Sequence, residues 1–143
     1  MDDNSLLRFI HSAPDEAALS QACAAISKVL GYEYFAYLLR RPYVTESPHY
    51  YVLHNFPQHW ENTYQSRRFI RTDPVMYYVY YNNLPATWHE IARAYPDNAS
   101  FFDTAAQQGF RYGLTAPVHD HENNTAQLSL CGSRAPHVPV SYT

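Results

Sequence analysis

The stretch from Asn55 to Pro74, N-F-P-Q-H-W-E-N-T-Y-Q-S-R-R-F-I-R-T-D-P, constrains this chain most, because its two prolines fix where helices begin. Pro57 presets φ for a first helical residue, so the spacing predicts a helix capped at Asn55 or Phe56. Trp60 and Tyr64, four residues apart, share one face of that helix. Asp73 is pushed out of the α region by Pro74 and becomes a natural N-cap for a second helix starting at the proline. Two helices therefore meet near one carboxylate. An indole N–H only donates and an ionised carboxylate only accepts, so Trp60 and Asp73 together can read a carbonyl and an N–H on one small molecule. Taken singly, Trp60 and Tyr64 suit an aromatic core and Asp73 suits a cap. A carboxylate has lone pairs to spare, so capping and binding are compatible.

Before this stretch, Leu6, Leu7 and Ile10 suggest a short initial helix. Ser12 is the expected cap of a stronger one, with Pro14, Asp15 and Glu16 in its first turn and Leu19, Ala22, Cys23, Ile26, Val29 and Leu30 along its apolar side. Gly31 supplies the stop. Tyr32 to Leu39 and Tyr50 to Leu53 read as two antiparallel strands around the turn-rich P-Y-V-T-E-S-P. After Pro74, Val75 to Tyr81 forms a short amphipathic helix that Asn82, Asn83 and Pro85 break. Pro85 to Trp88 is expected as an extended edge segment. Ser100 to Gly109 reads as a helix capped by Ser100 or Asn98, with Phe101, Phe102, Ala105 and Ala106 on its apolar side. Phe110 to Val118 and Thr125 to Cys131 are strands joined by H-D-H-E-N-N. The expected fold is an α/β class α-β-α sandwich, a central antiparallel sheet of about five strands flanked by helices.

At 143 residues the chain is expected to be one domain, and a net charge of −3 provides no excess of cations for gripping a phosphate backbone. The opening M-D-D-N-S has no basic region ahead of an apolar run, and no apolar run approaches bilayer length, so a cytoplasmic protein without membrane contact is expected. Cys23 and Cys131 show no C-x-x-C spacing and read as free buried thiols. Fourteen Tyr, with Phe and Trp added, suit a pocket around a partly polar ligand as well as they suit a plain aromatic core.

From about Asp15 to Cys131 the chain resembles the autoinducer-binding domain of LuxR-type quorum-sensing transcription factors. The resemblance rests on N-F-P-x2-W-x3-Y, on D-P-V, on P-x2-W ending at Trp88 and on F-F-x2-A from Phe101. It also rests on G-x3-G-x3-P from Gly109 to Pro117 and on L-S-L around Ser129. It implies a ligand-sensing domain that encloses an N-acyl homoserine lactone between sheet and helices. The position matching Trp60 donates to the lactone carbonyl, that matching Asp73 accepts from the amide N–H, and those matching Phe56 and Ser129 contact the amide carbonyl. Tyr64, Val75, Trp88, Phe101, Ala105 and Phe110 fall on positions lining the head group or the chain's path. No cofactor or metal is implied. A homodimer is possible, and DNA contact comes only through a further C-terminal domain.

Two departures stand out. Phe56 replaces the Tyr common in the family, so Ser129 serves the amide carbonyl alone, at a cost of about 1 kcal/mol. The family also continues into a helix, a linker and a helix-turn-helix domain that are not in this sequence. The expectation is a binding domain over 1–135 and a tail over 136–143.

An enzyme is the first rival reading, but Ser129 has no G-x-S-x-G elbow, and His119 and His121 lack a third ligand at fixed spacing. His54 and His59 suit the rim of a site or the solvent. A sensor for another small molecule, or a protein-interaction module using Arg67, Arg68 and Arg71, is the second.

Overall fold

The computed structural model describes residues 15–41, 49–119 and 124–136. Asp15 opens α1 (Glu16–Leu30): its backbone is extended and its carboxylate accepts from the Ala18 N–H at 2.8 Å. The cap is thus Asp15, while Ser12, Pro14 and the helix expected before them lie outside the described residues. Gly31 ends the helix with φ 88°, a left-handed conformation glycine adopts without a Cβ penalty.

The strands β1 (Tyr34–Arg41), β2 (His49–His54), β3 (Ala86–Thr87), β4 (Tyr112–His119) and β5 (Thr125–Gly132) form one sheet in the order β2-β1-β5-β4-β3, with every pairing antiparallel. Alternation along each strand sorts side chains to two faces. Phe35, Tyr37, Leu114, Leu128 and Leu130 pack with Cys23 and Ile26 of α1. Tyr34 and Cys131 face the other way, into a second core with Trp60, Val75, Trp88, Phe101 and Phe110. That side is covered by α2 (Gln58–Ser66), a 3-10 turn at Phe69–Arg71, α3 (Pro74–Tyr81), α4 (Trp88–Ala94) and α5 (Ser100–Gln107). The expected α-β-α sandwich is the observed fold.

Two helix starts differ from expectation. The cap of α2 is Pro57, which makes no side-chain cap bond, because the Asn55 side chain is engaged elsewhere: its Oδ1 accepts from the Phe35 N–H at 2.7 Å and ties the end of β2 to β1. The cap of α5 is Ala99, since Ser100 is already helical and Asn98 donates across to the Thr72 carbonyl at 2.9 Å.

The expected extended segment at Pro85–Trp88 is the two-residue edge strand β3, and α4 follows it at once. Sequence reasoning assigned no helix there. Its signal is a capping box: Thr87 Oγ1 accepts from the Glu90 N–H at 3.2 Å, while the Glu90 carboxylate accepts from the Thr87 N–H at 3.2 Å. This cap places Trp88 over β4 at Gly113, where a Cβ would lie 2.0 Å from the indole. Gly113→Ala should therefore destabilise the protein by about 3 kcal/mol through overpacking, seen as a lower denaturation midpoint in urea. An unchanged midpoint would show that the indole can move aside.

Candidate functional site

Trp60 is buried at the centre of an aromatic box. Its ring lies 6.1 Å from Tyr64, 5.7 Å from Phe101 and 5.2 Å from Phe110, each edge to face. These offset geometries suit ring quadrupoles and leave the polar tips free to point elsewhere. The i, i+4 spacing on α2 brings Trp60 and Tyr64 together, and Phe101 meets both from α5. Ala105, one turn further along α5, is fully buried and takes little room. Phe110 continues the box toward Phe56, at 5.5 Å, and Tyr34, at 5.3 Å.

The turn at Phe69–Arg71 reverses the chain so that α3 starts beside this box. Asp73, 7% exposed, caps α3 by accepting from the Val75 N–H at 2.8 Å through Oδ1, and it accepts from the Tyr64 hydroxyl at 2.8 Å through Oδ2. Burial pushes its carboxyl up to about 6, against hydrogen bonds from Tyr64 and from the backbone of Val75 and Met76, which pull it down. An ionised carboxylate offers about four lone-pair sites, so these three bonds leave capacity for one further donor. The Trp60 indole N–H makes no hydrogen bond among the described residues. The other indole is engaged: Trp88 donates to Thr115 Oγ1 at 3.1 Å.

Thr115 in turn lies 2.8 Å from Ser129 Oγ, across the β4–β5 register that pairs the two residues. Because Thr115 already accepts from Trp88, its own proton can go to Ser129. The Ser129 hydroxyl is then free to donate to a carbonyl on the helix side of the sheet.

The structure thus gathers Phe56, Trp60, Tyr64, Asp73, Val75, Trp88, Phe101, Ala105 and Phe110 around one core, with Ser129 joined to it through Thr115. Sequence reasoning passed over Thr115 and Tyr34, which belong to that same face. The signal for Thr115 was its place two residues after Gly113 in the G-x3-G-x3-P run. A groove of about 320 Å³ lies between α3 and the sheet, bordered by Leu38, Met76, Val79 and Gln127 among others.

The rival chemistries gain little here. His54 pairs with Glu61, His59 lies against Phe110 with near-parallel rings, and His119 Nε2 donates to the Val79 carbonyl at 2.7 Å. His121 lies outside the described residues. Among the described residues no three His, Cys, Asp or Glu side chains are grouped to hold a metal. Cys23 and Cys131 are free and buried, and burial raises both thiols, Cys23 to about 11. Arg67, Arg68 and Arg71 are exposed, with Arg67 reaching Thr104 Oγ1 at 3.3 Å.

The family model described as an autoinducer binding domain matches residues 15–143. The chain belongs to the autoinducer-binding domain family of LuxR-type regulators. It is 24% identical over 119 residues to the transcriptional activator protein AnoR of Acinetobacter nosocomialis, covering 83% of this chain and 50% of that protein. The N-acylhomoserine lactone dependent LuxR family transcription factor CepR2 of Burkholderia cenocepacia superposes with a TM-score of 0.70 at 26% identity, over 94% of this chain and 78% of that one. SdiA of Escherichia coli shares the fold, with a TM-score of 0.75 at 19% identity over 96% of this chain and 57% of that one. The chain spans about half the length of the curated relatives it matches. In this autoinducer-binding domain, no helix among the described residues is long and apolar enough to cross a membrane.

Proposed function

We propose that this autoinducer-binding domain takes an N-acyl homoserine lactone as its signal. The Trp60 indole N–H donates to the lactone carbonyl, Asp73 accepts from the amide N–H, and Ser129 donates to the amide carbonyl. The acyl chain then runs along the sheet-facing side of α3. The observation that carries this reading is that Tyr64 links the two groups in one buried aromatic box: its ring meets the Trp60 indole and its hydroxyl donates to Asp73, a buried carboxylate with acceptor capacity to spare.

The domain so read is a receptor: Trp60, Asp73 and Ser129 are spent on holding the ligand, and the described partner of the Ser129 hydroxyl is Thr115, not a base that would make it a nucleophile. In this reading the receptor acts in the cytoplasm, pairing as a homodimer is open to it, and DNA contact is the work of a domain other than this one.

Titration with N-acyl homoserine lactones of several chain lengths, followed by Tm, tests the reading. Stabilisation should grow with free ligand, reaching about 2.7 kcal/mol at a hundredfold excess over Kd. Failure of the whole series to move Tm would turn the assignment toward a different small molecule, and mass spectrometry showing a hydrolysed lactone would turn it toward an enzyme. In the same assay Phe56→Tyr should tighten binding several-fold, since a phenol at that place restores a second donor to the amide carbonyl. Weaker binding by Phe56→Tyr would mean that this ring does not face the carbonyl.

A further inference from the structure

The groove between α3 and the sheet is lined by Leu38 and Arg40 of β1, Met76, Val79 and Tyr80 of α3, and Gln127 of β5, among others. Two of these carry buried polar atoms with no hydrogen-bond partner among the described residues: Gln127 Oε1 and Arg40 Nε. Gln127 is 7% exposed, and the other end of its amide reaches only the Met76 sulfur, a weak acceptor, at 3.6 Å. The Arg40 guanidinium lies over the Tyr80 ring at 5.7 Å, which holds its charge without using the Nε proton. Buried polar groups in folded proteins are ordinarily paired, so an orphan donor and an orphan acceptor on the wall of one groove point to a ligand group that answers both.

Their position relative to the head-group site follows from the register. Ser129 pairs with Ala36, Gln127 with Leu38 and Thr125 with Arg40, all directed to the same side of the sheet. Gln127 therefore sits about 7 Å beyond Ser129 along β5. On α3, Met76, Val79 and Tyr80 carry the opposite wall in the same direction, away from Asp73. A ligand held by its head at Trp60 and Asp73 would bring the end of its chain here.

We propose that the signal is an acyl homoserine lactone whose chain ends in a hydroxyl group; this rests on the lactone reading above. A hydroxyl donates its proton to Gln127 Oε1 and accepts from the Arg40 Nε–H, filling both vacancies with one group. A methyl end leaves both atoms unpaired. A carboxylate answers Arg40 but sets its negative oxygens against the Gln127 oxygen, and an ammonium offers Arg40 no acceptor.

The test is calorimetric titration of this chain with pairs of N-acyl homoserine lactones of matched length, one ending in a hydroxyl and the other in a methyl of the same size, over a range of lengths. At the length that reaches the groove, the hydroxyl form should bind about tenfold tighter. Gln127→Leu and Arg40→Met should each shrink that preference, and the double variant should reverse it. Methyl-ended lactones that bind as tightly as their hydroxyl partners at every length would overturn the inference and leave the lactone reading standing. If no lactone of either kind binds, the reading beneath it falls as well. Should a variant fail to fold, the paired comparison on the unaltered chain still decides.

Discussion

Asp73→Ala should abolish the rise in Tm that a lactone produces, whereas Asp73→Asn should keep the fold and lose the ligand. Alanine removes the α3 cap, at about 1 kcal/mol, and leaves the Tyr64 hydroxyl without its acceptor. Asparagine is as good a cap as aspartate, so its Oδ1 can still take the Val75 N–H, and its amide can donate to the Tyr64 hydroxyl. What it lacks is a second acceptor for the ligand's amide N–H, which would meet another donor instead. Losing a hydrogen bond to a charged group and stranding the ligand's N–H should weaken binding about a hundredfold. The pair of variants separates capping from binding. If Asp73→Asn bound lactone as the unaltered chain does, Asp73 would be a structural residue only, and the ligand's orientation would have to be rebuilt around Trp60.

The parts of this site legible in the sequence are those governed by neighbours along the chain. Pro74 acts on the backbone of Asp73 directly, and Trp60 and Tyr64 are placed together by helical spacing alone. Gly31 and the apolar stripe of α1 were readable for the same reason. Where the deciding contact was distant, the reading went astray. Asn55 resembles a cap for α2, but the Phe35 N–H, brought close by the β1–β2 pairing, takes its side chain. Ser129 could be singled out through the family resemblance, yet its link to Trp88 through Thr115 depends on the β4–β5 register, which no local pattern reveals. The omission of α4 is different in kind. Its T-x-x-E box is a local signal, obscured because Pro85 and the aromatic Trp88 read as the edge of a sheet. Arg40 and Gln127 stood outside the motifs, and only the pairing of β1 with β5 shows that they share a wall.

Stability and ligand affinity should respond to pH in opposite directions, with Asp73 as the common cause. Burial raises its carboxyl from 3.8 to about 6, so the folded protein holds this proton more tightly than the unfolded chain does. Between those two values the native state carries more protons, and stability falls as pH rises through the window. The full difference corresponds to about 3 kcal/mol, present below pH 4 and lost by pH 7. Other carboxylates add their own slopes, so the measurement is a difference: chemical denaturation of the unaltered chain minus that of Asp73→Asn, from pH 4 to 7. Lactone binding uses the ionised form, whose fraction drops as pH falls through about 6. Affinity at pH 5 should then be about tenfold weaker than at pH 7. A ligand that accepts from Trp60 but ignores Asp73 would show no such loss. A flat affinity profile beside a sloping stability difference would mean that the carboxylate is buried for the sake of α3 and Tyr64, with the ligand's amide turned elsewhere.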